Sequence, residues 1–161
     1  MTRIIETSID EFVKKIEPVH AFRMSHNASS TITSIVEERC AIYSGQVVRN
    51  ARDIPDFYLA TTMILRGLLT HAAEYGGRFV VNYHVGMKGV AILYNDSSAL
   101  FRNPDLAGTL EKSDHPGLII VRIFADEICA DKSRSSIGFV KYAALDVAMP
   151  KNAEVSAVPA V

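Results

Sequence analysis

His84 is the first residue to weigh for chemistry. It stands in RFVVNYHV, residues 78–85, whose alternation places His84 and Asn82 on one strand face and Phe79, Val81, Tyr83 and Val85 on the other. If later strands present Arg122 and Asp146 on the His84 face, a polar cluster forms around a side chain that titrates near neutrality. His84, Asn82 and Arg122 are therefore the candidate catalytic residues, with general acid–base work as the chemistry. The bland alternative is a set of solvated residues on an exposed sheet face. Strand register decides between them, because a slip of one residue turns the whole set to the other side.

The remaining histidines point less clearly to a site. His20 and His26 are six apart in a polar connection and lack metal-ligand spacing. His71 precedes Tyr75 by four residues on an apolar helix and reads as a packing residue. His115 precedes Pro116 in a loop and reads as exposed. Cys40 falls on the apolar side of its helix. Cys129 lies among Asp126, Glu127 and Asp131, which would raise its pKa and blunt its reactivity. Two cysteines without CxxC spacing do not make a zinc site, and DEICAD is not a calcium-loop spacing. The chain has no G-x-x-x-x-G-K-[ST], G-x-G-x-x-G, G-x-S-x-G or HExxH. No cofactor and no metal is expected.

The element that must position any site is residues 54–75, the longest apolar-rich run. Asp53 is a suitable N-cap, Pro55 suits the first turn, and Gly76 and Gly77 stop the helix. Arg66 and its neighbours argue against a membrane span, and a buried Arg66 would need a partner. Upstream, Ser8 and Glu11 form a capping box before Ile9, Phe12, Val13 and Ile16, a short helix that Pro18 should stop. Residues 20–27 follow as a connection. A second helix is expected from about 28–30 to 44, ended by Gly45, and 46–52 link it to the central one with Arg49 and Arg52.

After Gly77 the period becomes extended. Residues 78–85 and 88–94 form a hairpin about Gly86 and Met87. Residues 95–117 make a long connection with a helical turn near 104–110. LIIVRIF, residues 118–124, reads as a buried third strand; 126–136 as a solvated acidic loop; 137–147 as a fourth strand. Residues 1–149 are then a single α+β domain, N-terminal helices packed on one face of a mainly antiparallel four-stranded sheet formed by the C-terminal half, with 150–161 a disordered tail.

Composition narrows the function classes. The chain has 161 residues, 48% hydrophobic and 22% charged, with a net charge of −1. Nothing in that balance draws it to nucleic acid or to an anionic membrane. Residues 1–10 lack the apolar core of a signal peptide, so a cytoplasmic protein with reduced thiols is expected. The absence of cofactor and catalytic motifs favours a small non-enzymatic interaction or regulatory protein that binds a protein partner or itself as a homo-oligomer. The alternative is a small enzyme or ligand-sensing domain using the His84 cluster. A pocket with convergent polar groups would favour the latter; a flat apolar patch, the former.

Overall fold

A computed structural model describes residues 2, 4–29, 34–35, 38–39, 55–75 and 77–143. In chain order these form β1 (Ile4–Glu6), α1 (Ile9–Val13) with a 3-10 turn (Lys14–Ile16), β2 (Pro18–Asn27), α2 (Pro55–Glu74), β3 (Arg78–Gly86), β4 (Gly89–Asp96), a second 3-10 turn (Ala99–Arg102), α3 (Leu106–Lys112), α4 (Pro116–Phe124), β5 (Glu127–Asp131) and β6 (Ser136–Tyr142). The fold is α+β around one six-stranded sheet, in the order β1-β5-β6-β4-β3-β2. Strand β1 runs parallel to β5, and every other neighbouring pair is antiparallel. Among the described residues, no helix is long and apolar enough to cross a membrane.

The β3–β4 hairpin forms where the alternation predicts it, closing with Gly86 opposite Gly89. Helix α2 also forms, and the Gly77 N–H closes its end on the Ala72 carbonyl at 3.1 Å. Phe57, Ile64, Leu65, Leu68, Leu69 and Ala72 of α2 are buried. Arg66 is exposed and is not without a partner.

Several expectations are corrected. LIIVRIF is a helix, α4, because His115, Pro116 and Gly117 start it: the His115 ring accepts from the Gly117 N–H at 3.1 Å and Pro116 sits in the first turn. The connection 20–27 lies in edge strand β2, paired along its length with β3. The acidic loop 126–136 contains strand β5, in which Ile128, Cys129 and Ala130 are fully buried. With β1 added at the other edge, parallel to β5, the sheet has six strands and is mixed, where four were expected.

Helices also cover both faces rather than one. Val90, Ile92 and Tyr94 of β4, with Ile128, Ala130, Ile137 and Phe139, pack toward α2 and α4. Ala91 and Leu93, with Cys129 and Val140, meet Ile9, Phe12, Val13 and Ile16 on the opposite face. Each large side chain buried this way contributes about 1.5–3 kcal/mol. The capping box is also not realised. Ser8 makes no side-chain cap; instead the Asp131 carboxylate, from β5, accepts the Ile9 N–H at 3.1 Å. The 104–110 turn is α3, capped by Asp105, which accepts from the Gly108 N–H at 3.1 Å.

Of the expected second helix, residues 34–35 and 38–39 are helical. The remainder of that segment, with Cys40, Gly45, Arg49, Arg52 and Asp53, lies outside the described residues, as do Gly76 and residues 144–161 with Asp146.

Candidate functional site

The cluster expected around His84 does not assemble. Asn82 and His84 do share a face of β3, both half-buried, opposite to Tyr83 and Val85. Arg122 belongs to α4, which packs on the Tyr83 side of the sheet. It is 5% exposed, and its guanidinium grips the Leu110 carbonyl and, at 2.8 Å, the Ser113 carbonyl. These two contacts tie the end of α3 to α4. Its Nε is buried without a partner among the described residues. Asn82 lines a hollow of about 70 Å³ with Ile9, Asn95 and Arg134, too small for more than a few waters. Burial lowers the His84 pKa below the usual histidine value, against a weaker opposing pull from Asp10.

Polar groups converge elsewhere, at the C-terminal end of α2. Helical spacing brings His71, Glu74 and Tyr75 to the end of an otherwise apolar helix, and the end of β4 arrives beside them. His71 Nδ1 lies 2.7 Å from Asp96 Oδ2 in a pair almost fully removed from solvent, the side chains 4% and 1% exposed. The Tyr94 hydroxyl sits 2.6 Å from the same carboxylate oxygen and 3.0 Å from the Leu68 carbonyl. The Ser98 N–H donates to Asp96 Oδ1 at 2.8 Å. Burial alone would raise the Asp96 pKa, but the hydrogen bonds from His71, Ser98 and Tyr94 outweigh it and hold the carboxyl below its ordinary range. Burial and the neighbouring Asp96 charge push the Tyr94 phenol far upward, so it stays protonated as a donor.

A second pair stands next to the first. His115 Nε2 meets the Glu74 carboxylate, and the His71 and His115 rings contact edge to face, with centroids 5.0 Å apart. Tyr75 lies against both rings, at 4.8 and 6.0 Å. The hydrogen-bond partners assign the tautomers. His115 Nδ1 accepts from a backbone N–H, so its ring proton is on Nε2, toward Glu74. His71 faces a carboxylate with Nδ1, so a proton is held on that nitrogen. A buried carboxylate that fixes a histidine tautomer is the arrangement that general-base histidines use.

A cleft of about 230 Å³ opens beside this cluster. His71 of α2 and Tyr75 just after it form one wall, Ser98 and Leu100 after β4 another, and Thr109, Ser113 and Leu118 of the α3–α4 region the third. Ser98 is 8% exposed. Its hydroxyl oxygen is fully buried, with no partner in hydrogen-bond geometry among the described residues. No lysine or arginine is among these lining residues. Among the described residues, no three or more His, Cys, Asp or Glu side chains are grouped to hold a metal ion.

His71 is buried against Tyr75, as expected of a packing residue, whereas His115, expected to be exposed, is buried too. Two local signals bear on them. Tyr94 and Asp96 are two apart on one strand and so share a face. His115–Pro116–Gly117 has the form of a helix start. Neither signal says that these segments meet. Cys129 is a free, buried thiol pushed up to about 12, by burial first and by Asp131 and Glu127 after it.

A scan against models of known protein families finds no match, and a search of curated protein sequences finds no similar protein.

Proposed function

We propose that this protein binds a small molecule in the cleft at the end of α2, as a small enzyme or ligand sensor, and that His71 exchanges a proton with the bound molecule. The carrying observation is the His71–Asp96 contact of 2.7 Å, which commits Nδ1 to the carboxylate and leaves Nε2 as the other ring nitrogen of a residue that lines the cleft. The convergence of Tyr75, Ser98, Thr109 and Ser113 on the same space adds the few polar groups a ligand site uses for orientation. The alternative candidates His84, Asn82 and Arg122 have no comparable support, since they lie on two sides of the sheet. A cytoplasmic setting accords with the free Cys129 thiol.

Native mass spectrometry of the chain purified gently from its own source cell tests this reading. A bound small-molecule mass that is lost in His71→Ala is the expected result. A chain that carries no small molecule but retains a macromolecular partner overturns it.

A second reading, a non-enzymatic interaction or regulatory protein that binds a protein partner or a second copy of itself, draws on two exposed side chains. Leu59 of α2 is 52% exposed and Ile123 of α4 is 60% exposed. Sedimentation velocity on the wild type and on Leu59→Asp/Ile123→Asp tests self-association. A dimer that the double variant dissociates supports it, and a monomer at all concentrations removes the homo-oligomer.

A further inference from the structure

We infer that the outer edge of β2 takes up an extended acidic segment of a partner protein as one more strand, with Arg23 and Arg78 selecting its carboxylates. This edge shares no residue with the cleft.

Strand β2 ends the sheet, and among the described residues no strand pairs with its outer side. The hydrogen bonds fix which of its groups face outward. The Ala28 N–H reaches the Gly77 carbonyl at 3.1 Å, and the Ser97 N–H reaches the Arg78 carbonyl at 3.0 Å. Even-numbered residues of β2 therefore bond to β3, and the N–H and C=O groups of Ala21, Arg23 and Ser25 point away from the sheet. Such a row is a template for a further strand.

The side chains along this edge set the charge of what joins it. Arg23 is exposed and stands opposite Asn82, which puts it on the α1 side of the sheet. Arg78 leans from β3 over the same side, and its Nε donates to Ser25 Oγ at 3.1 Å. Its guanidinium is thus held over the residue two along from Arg23, about 7 Å by strand spacing. Among the described residues, no carboxylate pairs with either arginine. Asp10 and Glu11 of α1 are taken by Arg134 and Lys14. Strand β2 itself contains no acidic residue.

An added strand with acidic residues at alternate positions brings two carboxylates to these two guanidinium groups. Its intervening side chains fall on the other face, beside Phe22 and Met24, where apolar residues suit. A second copy of β2 fits poorly. Antiparallel pairing that uses all the outward groups sets Arg23 opposite Arg23, and like charges directly opposite are destabilising. A nucleic acid offers phosphates but no row of amides to match the edge.

The probe is the acetylated and amidated peptide Ser-Val-Glu-Val-Glu-Val-Ser, titrated into the full chain and followed by 1H–15N NMR. Shifts centred on Ala21, Arg23 and Ser25 are expected. Backbone N-methylation of one alternate set of peptide residues should abolish them, and methylation of the other set should preserve them, because only alternate N–H groups face β2. Arg23→Glu changes an exposed side chain and should weaken binding at least about tenfold, while gaining affinity for the peptide with lysine in place of glutamate. Equal affinity of the wild type for the glutamate and lysine peptides overturns the charge selection. Binding that survives methylation of either set overturns strand addition. A short oligothymidylate that binds these amides more tightly than the peptide overturns the inference in favour of nucleic acid. Absence of β2 shifts with the glutamate peptide overturns it outright, and the cleft reading stands or falls separately.

Discussion

His71 and His115 touch through their rings yet turn different nitrogens to their partners, His71 Nδ1 to Asp96 and His115 Nε2 to Glu74, and the proposed reading gives the base role to His71. The Nδ1 of His115 is committed to capping α4, so the ring serves the backbone. His84, the residue that alternation made conspicuous, yields a separate prediction. Burial disfavours its protonated form, so its folded pKa lies below the usual 6.5. Between those values the unfolded chain binds more protons than the folded one. The associated stability is complete above 6.5 and is lost as pH falls through the folded pKa. Urea melts at about pH 7.5 and about pH 5.5 should show His84→Gln losing less stability on acidification than the wild type. The difference should be about a few tenths of a kcal/mol, since His84 is only half-buried and solvent screens it. The side chains of the cleft were in the sequence, but their meeting was not. His71 and Asp96 are separated by a hairpin, and His115 by a further 3-10 turn and helix, so only the fold makes them neighbours.

Helices α2 and α4 cross where two glycines meet. A Cβ on Gly67 would lie 2.3 Å from the Gly117 carbonyl oxygen and 2.9 Å from Val121 Cγ2. Glycine in mid-helix costs about 1 kcal/mol relative to alanine, so its presence here is explained by the close approach. Gly67→Ala should still destabilise the protein, by about 1–3 kcal/mol, because the obstruction is backbone and the helices must separate. Thermal melts measure this, and a rise in Tm would mean that the crossing is looser than the structure has it. The same crossing sets His115 against His71, so the variant should also disturb the cleft. At this scale α2 and the β3–β4 hairpin were legible, since long periodicity and turn residues are local signals. The identity of α4 was not. Six apolar residues interrupted only by Arg122 show no clear period, and a buried strand and a buried helix look alike until the flanking His115–Pro116–Gly117 is given weight. The cap on α1 shows the same limit. Ser8 has the right local spacing, yet Asp131 takes the position from a strand 122 residues away from Ile9.

Across the molecule, the sheet is anchored at its middle and thin at its margins. Strands β6 and β4 lie inside it, between buried clusters on both faces, whereas three-residue β1 and ten-residue β2 form its edges. Amide hydrogen exchange should therefore be slowest in β4 and β6 and fastest in β1 and the outer half of β2. Exchange that is as slow in β1 as in β4 would contradict this layering. The sequence by itself determined the α+β class, the central helix and the hairpin with its two alternating faces, because each depends on contacts within a few residues. Tertiary structure alone decided that β1 joins β5 in parallel, that α1 covers the second sheet face, and that Arg122 stands across the sheet from His84. It also decided that His71, Asp96, Ser98 and His115 gather at one cleft. Strand order and register depend on which buried surfaces fit together over long stretches of chain, and no local spacing of residues encodes that fit.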